Sequence, residues 1–490
     1  MRTLTSPKLT CRIKCNKASS DELKTDRLRR SANYQRNIWD PDFIESLQGD
    51  HKASQTTWSQ GLRSSNNVFN DFKDENGCLR QSVCQDVKGM LSLYEASHLC
   101  FEDENTLHEA KDFTLKHLKL LNENIHPSLA EEVTHALELP LHWRMPRLEA
   151  RYYIDAYQRE EKMNPVLIEL AILDFNMLQA THQKELVNMS RWWKDLGLSD
   201  KLGFARDRLV ESFLASVGVA YKPQYHCCRE WITKVVCLIL TIDDMYDIYG
   251  SLDELELFTE AVERWDLKAV DQLPDYMIIC FLALFNTTNN IVYLTYKEKG
   301  LDILPHLTKA WADFCKAMLV EAKWSKLGYT PSLIEYLENA WVSSSTTVSA
   351  VIAFFGTEQP ITTDVLQSLE NNPDVIYSSS MILRLCNDLA TSSAELERGD
   401  VPSAVQCYMH ENNTSELIAR NKIKGLLSEM WKKLNKSICD SPFEDSFIDI
   451  VVNNARTAHS IYQHGDGFGV QDQKAEKRVK EMLAKPISLM

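Results

Sequence analysis

The stretch VVCLILTIDDMYDIYG, residues 235–250, decides how this chain is read. An apolar run from Val235 to Ile242 leads straight into Asp243, Asp244 and Asp247. The acids therefore emerge at the end of a buried helix. Asp243 and Asp247 are four apart, which puts them on one face about one turn from each other. Asp244 is rotated by about 100° and can serve a different contact. Carboxylate oxygens so arranged suit a hard divalent cation such as Mg²⁺. Neighbouring carboxylates also repel each other unless a cation or a proton intervenes. Taken alone, the motif reads equally as a solvated acidic helix end.

A second stretch, MILRLCNDLATSSAELERGD at 381–400, offers a partner. Asn387, Thr391 and Glu395 recur every four residues and form one stripe along a helix. An amide, a hydroxyl and a carboxylate are the ligand mix of a Mg²⁺ site that shares its ion with a phosphate. Arg384 lies on the same stripe, placed to fork onto that phosphate. The alternative for the hydroxyl residues is an exposed helix face. In FARDRLVESF, Arg206 and Arg208 are two guanidinium groups able to grip a diphosphate, or a surface pair neutralised by Asp207 and Glu211.

The rest of the chain supports a helical reading. Its 490 residues predict two domains. Only 16 Gly and 15 Pro occur, which argues against a turn-rich all-β chain. Val87–Ser97 and Ala110–Leu121 carry apolar residues at helical spacing, and Pro127, Pro140, Pro146 and Pro165 punctuate the elements. The net charge of −15 argues against nucleic acid and anionic membranes as main partners. No apolar stretch reaches the ~18 residues of a membrane span. The 13 Cys contain no CxxC pair, so reduced, mostly buried thiols are expected. Residues 1–20 are basic and hydroxyl-rich with no acid, the pattern of an organelle transit peptide, which is expected to span 1–28. Residues 51–66, HKASQTTWSQGLRSSN, are aperiodic and read as a loop.

Together these residues resemble the plant terpene synthase family, class I, over nearly the whole chain. DDxxD is matched by Asp243, Asp244 and Asp247. The second motif, [ND]Dxx[ST]xxxE, is matched by Asn387, Asp388, Thr391 and Glu395. RxR is matched by Arg206 and Arg208, and RRx8W by Arg29, Arg30 and Trp39. The last motif marks the angiosperm monoterpene type. Further similar stretches are 73–99, LPLHWRMPRLEARYYIDAY at 139–157, and YGSLDELELFTEAVERWD at 249–266.

The resemblance implies an all-α fold of two helical domains: an α-barrel-like N-terminal domain over 29–165 and a class I metal-binding bundle over 166–490. It implies a lyase in which Mg²⁺ or Mn²⁺, three ions per site, binds the diphosphate of geranyl diphosphate. Metal ligands would be Asp243, Asp244, Asp247, Asn387, Thr391 and Glu395. Arg206, Arg208 and Arg384 would hold the diphosphate, with Asp243, Asp247 and Asn387 contacting it. Tyr462 and Asp466, in YQHGDG, would handle protons or close the lid. Arg29 and Arg30 would assist diphosphate migration from a strand folded over the pocket, and Trp341 and Tyr377 are candidates for its wall. The expected location is the plastid stroma, with the cytoplasm as alternative, and the chain is expected to be a monomer or homodimer. A sesquiterpene synthase using farnesyl diphosphate, and a catalytically impaired relative, are the competing readings.

Three departures from the family pattern stand out. Ser403 replaces a Lys that contacts diphosphate, and a hydroxyl cannot supply that charge. Ala215 replaces a Trp that lines the pocket, which widens it and favours acyclic or early-terminated products. Only about 48–67 intervene where the family has several helices, so the N-terminal domain is shortened and its remaining apolar faces should lack cover.

Overall fold

The structure, a computed structural model, describes residues 29–47, 86–102, 104–121, 125–371, 373–398 and 401–489. The transit segment before residue 29 and the join at 48–67 lie outside these. Among the described residues every regular element is helical, as expected of an all-α chain. The helix read at Val87–Ser97 has those bounds. Its successor spans Asn105–Lys119, starting before the Ala110 read from sequence, because Leu107 extends the buried face by a turn. Prolines open Pro127–Glu138, Pro146–Tyr157 and Pro165–Leu196, at positions where the missing N–H costs no hydrogen bond. A small core of Met90, Leu93, Tyr94, Ala110, Leu118, Val133 and Ala136 joins the first helices.

The 32-residue helix Pro165–Leu196 ends at Gly197, whose φ of +69° suits glycine. Its first turns carry Val166, Leu167, Leu170 and Leu173, exposed by 70, 57, 57 and 47%. An apolar row on one helical face is normally covered by a neighbour.

Nine later helices form or flank the site: α1 (Leu209–Val219), α2 (His226–Asp244), α3 (Leu252–Arg264), α4 (Leu304–Leu327), α5 (Leu333–Ser343), α6 (Thr346–Gly356), α7 (Asp374–Arg398), α8 (Ala404–Asn412) and α9 (Asp445–Tyr462). α1 is buried along its whole length, and α2 on most of its positions. Helices so apolar hold their place by burial rather than by propensity. Phe213, Phe258, Phe314, Phe354 and Phe447 are among the largest fully buried side chains of one continuous core. Among the described residues one helix, Asp275–Lys299, is long and apolar enough to cross a membrane by length and composition, against the expectation from sequence. It buries Met277, Cys280, Phe281, Leu284 and Ile291 in that core.

Residues 29–40 run across the bundle as a strap. Trp39 is buried and donates its indole N–H to Glu211 at 2.8 Å. The Ile38 N–H donates to Gln471 at 3.1 Å, and Arg208 donates to the Gln35 carbonyl at 3.1 Å.

Candidate active site

The apolar face of α2, with Trp231, Val235, Leu238 and Ile242 buried, anchors its acidic end. Beyond Asp244 the helix widens into a π-helical turn, Met245–Tyr249, closed by the Gly250 N–H on the Met245 carbonyl at 2.8 Å. Such turns re-aim side chains and recur at functional sites. Asp243 and Asp247 border a cavity, and Asn387, Thr391 and Glu395 of α7 border the same cavity. Arg206, Arg384, Tyr462 and Asp466 also line it. Its apolar wall includes Ile232, Val236, Leu240, Leu383, Ile450 and Phe468. The interior volume, 180 Å³ as swept by the centre of a water-sized sphere, far exceeds the ~10–15 Å³ that holds one water. A multi-carbon ligand has room there.

Arg384 is pinned by donating to Asn387 Oδ1 at 3.2 Å, Ser343 Oγ at 3.1 Å and the Ala340 carbonyl at 3.4 Å. Thr391 donates to the Asn387 carbonyl at 3.0 Å, which turns its lone pairs outward. Burial opposes the charge on Arg384, but Tyr336, Glu321 and Asp388 outweigh it and hold the guanidinium ionised.

Several residues expected at the site lie off the cavity or are held by protein partners. Asp244 does not border the cavity: it is 0% exposed and accepts from Arg206 at 2.7 Å (backbone N–H) and 2.9 Å (Nε). Rotated by about 100° from Asp243, it anchors Arg206 behind the rim. Arg206 also pairs with Asp243 and lies over the Tyr34 ring at 5.0 Å. Arg208 does not line the cavity either. It donates to the carbonyls of Phe468 (2.8 Å), Asp207 (2.8 Å), Gln35 (3.1 Å) and Gly469 (3.4 Å). Its work is to hold the strap and the loop after α9 together. Arg29 forms a two-pronged pair with Glu254 at 2.9 and 3.0 Å, stacked on Tyr249 and Tyr276. Arg30 donates to the Asp247 carbonyl at 3.2 Å, which ties the strap to the acidic turn. Trp341 and Tyr377 pair with each other at 5.5 Å and are not part of the wall. The aromatic lining is Tyr34, Tyr336, Tyr462 and Phe468.

Sequence reading missed Tyr34, Tyr336 and Glu321. Tyr34 lies between Arg30 and Trp39, and its place in the strap carries it over the cavity. Glu321 is buried in α4 and accepts from Ser343 Oγ at 2.5 Å and Asn339 at 3.1 Å. Tyr336 donates to Asp388 at 3.1 Å. The other Asp388 oxygen accepts from the Ala404 N–H at 2.9 Å, which docks the start of α8 on α7. Ser403 borders the cavity as the N-cap of α8, with its hydroxyl on Gln406.

Among the described residues, Asp243, Asp247, Glu321, Glu395 and Asp466 face this cavity with Arg206 and Arg384 as the cationic counterparts. Burial pushes the Glu395 carboxyl up to about 8, and nearby Asp388 adds to the shift. A bound cation would relieve both effects. Among the described residues no three His, Cys, Asp or Glu side chains converge on one point. An ion on either rim would need oxygens from phosphate or water as well, which is normal for Mg²⁺. The donor set therefore fits hard divalent cations shared with a phosphate ligand.

The Glu254 clamp gives a pH prediction. Burial raises this carboxyl, but Arg29 and Ser251 outweigh it and bring it down to about 2. A depressed folded-state value stabilises the clamp above the unfolded carboxylate range near 4.3. That contribution is lost as pH falls toward about 2. Limited proteolysis around residues 29–40 is expected to accelerate through that window, and Glu254→Gln to flatten the dependence.

Family models match twice: "Terpene synthase family, metal binding domain" over residues 194–433, and "Terpene synthase, N-terminal domain" over 59–137. A (-)-alpha-terpineol synthase of Vitis vinifera is 55% identical over 422 residues, covering 86% of this chain and 72% of that protein. A chloroplastic myrcene synthase of Quercus ilex is 44% identical, covering 97% and 93%. That alignment runs over 556 positions, more than the 490 residues here. Isoprene synthase from grey poplar leaves, solved with three Mg²⁺ ions and dimethylallyl-S-thiolodiphosphate, superposes with a TM-score of 0.83 at 49% identity, covering 87% of this chain and 82% of that one. Limonene synthase with 2-fluorolinalyl diphosphate gives 0.84 at 42%, covering 87% and 79%. With two oxygen-rich rims across one apolar cavity, and relatives of this identity and coverage, the chain belongs to the terpene synthase family.

Proposed function

We propose that this chain ionises geranyl diphosphate and releases diphosphate to give monoterpene products. The observation that carries this reading is the convergence of Asp243, Asp247, Asn387, Thr391 and Glu395, with Arg206 and Arg384, on one apolar cavity. Asp243 and Asp247 on one rim, and Asn387, Thr391 and Glu395 on the other, would hold Mg²⁺ or Mn²⁺, three ions in all. Such ions, when bound, supply positive charge to the departing diphosphate. Arg206 and Arg384 meet the same charge directly, each already oriented by buried partners. The hydrocarbon cation left behind faces aliphatic walls and the rings of Tyr462 and Phe468. These shield it from bulk water and stabilise its charge.

The relatives named above make or bind monoterpenoid and shorter skeletons, which favours geranyl over farnesyl diphosphate. Relatives labelled chloroplastic, and the basic N-terminal residues, favour a plastid location. A shortened N-terminal domain is supported by the long myrcene synthase alignment and by the exposed row on Pro165–Leu196. The test is purified protein given geranyl or farnesyl diphosphate, with Mg²⁺ or with a chelator. Geranyl diphosphate is expected to be used at least about tenfold faster, with turnover lost to the chelator. Preference for farnesyl diphosphate, or turnover indifferent to metal, would overturn the reading.

Ala215 packs with Leu240 and Phe468 on the wall. Ala215→Trp would fill this corner with a ring that favours folded cations. The cyclic share of products, read by gas chromatography, is expected to rise several-fold. A parent profile dominated by one bicyclic product would contradict the premise.

A further inference from the structure

Besides the two rims and the aromatic lining, the cavity wall carries a polar patch between α6 and α9. Asn454 lies eight residues before Tyr462 on α9, roughly 12 Å from it along the helix axis. Its Nδ2 donates to Ser379 Oγ at 3.1 Å and to Thr346 Oγ1 at 3.4 Å. Those two bonds fix the amide plane and leave Oδ1 as an acceptor with no protein partner among the described residues. Ser349 is three residues beyond Thr346 and shares its face of α6. Its hydroxyl also lacks a protein partner among the described residues, and both residues border the cavity. Thr457, one turn after Asn454, borders it too, and its buried hydroxyl has no partner among the described residues.

Unmet polar atoms are costly on a dry hydrocarbon wall. One water bound by two to four polar groups removes that cost. We propose that Asn454 and Ser349 seat a water on the cavity wall, and that this water captures the carbocation to form an alcohol. The inference rests on the ionisation reading above and adds the fate of the cation. In the step, a lone pair of the water oxygen forms a C–O bond to the cationic carbon. The resulting oxonium passes one proton to the released diphosphate, so one diphosphate ester and one water give one alcohol and one protonated diphosphate. No oxidation or reduction occurs. Asn454 Oδ1 accepts from the water, which raises electron density on the attacking oxygen and fixes its lone pair toward the substrate.

The test is full-length protein with geranyl diphosphate and Mg²⁺ in H₂¹⁸O, with products resolved by gas chromatography and mass spectrometry and diphosphate release followed in parallel. An alcohol carrying ¹⁸O is expected. Its ratio to hydrocarbon products should fall about tenfold in Asn454→Leu and several-fold in Ser349→Ala. The ratio does not depend on how much enzyme folds, and the milder Ser349→Ala guards against loss of Asn454→Leu. Diphosphate release with hydrocarbons alone would overturn the proposal while leaving ionisation intact, as would a ratio unmoved in either variant. Absence of diphosphate release would overturn the ionisation reading and the capture step with it.

Discussion

Asp247→Asn is expected to lower turnover of geranyl diphosphate by ~10²–10³-fold, the scale at which removal of one preorganised charge-stabilising group is felt. The substitution keeps the shape of the side chain and removes its charge. Asp247 borders the cavity on the π-helical turn, where a carboxylate can share an ion with a phosphate. Arg30 donates to the backbone carbonyl of this residue at 3.2 Å, a bond that the substitution leaves in place. The Mg²⁺ concentration for half-maximal rate should rise along with the loss of rate. Circular dichroism melts should match the parent, since a side chain at the cavity surface contributes little to the core. Parent-like turnover at parent-like Mg²⁺ would remove Asp247 from the ion-binding rim.

The residues whose shared helix face was legible in the sequence are those whose geometry is local. Asp243 and Asp247, or Asn387, Thr391 and Glu395, lie within two or three turns of one helix, so spacing alone puts them on one side. That both stripes face one cavity needed the fold. Arg208 shows why some roles were illegible: its acceptors at Gln35, Phe468 and Gly469 lie 173, 260 and 261 residues away. Nothing in an RxR pair distinguishes a guanidinium that meets substrate from one that ties two chain segments together. Trp341 and Tyr377 failed as wall candidates for a similar reason. Aromatic character does not say which face of a helix meets the cavity, and these two rings satisfy each other. Glu321 did carry a signal. It is a lone acid on a face that includes Ala317, Met318 and Trp324, all buried, and an acid at a core position needs a partner.

Asp244→Ala, one residue from the rim, is expected to act on stability first. Its carboxylate is fully buried, and Arg206 reaches it through both its backbone N–H and its side chain. Burial pushes the Asp244 carboxyl up, and Arg206 opposes that shift. Burial likewise opposes the Arg206 charge, while Asp244, Tyr34 and Asp243 outweigh it and keep the guanidinium ionised. Removing Asp244 leaves that guanidinium with Asp243 as its remaining carboxylate contact, on the exposed side of the pair. Breaking a buried pair from one side costs about 3–5 kcal/mol. For a domain of this size that lowers the melting temperature on the order of 10 °C. Activity should fall as well, because Arg206 loses the partner that aims it at the cavity. The double substitution Arg206→Met with Asp244→Leu removes both charges together and should recover much of the lost stability without recovering activity. A single Asp244→Ala protein that melts with the parent, yet needs more Mg²⁺ as Asp247→Asn does, would instead return Asp244 to the ion-binding rim.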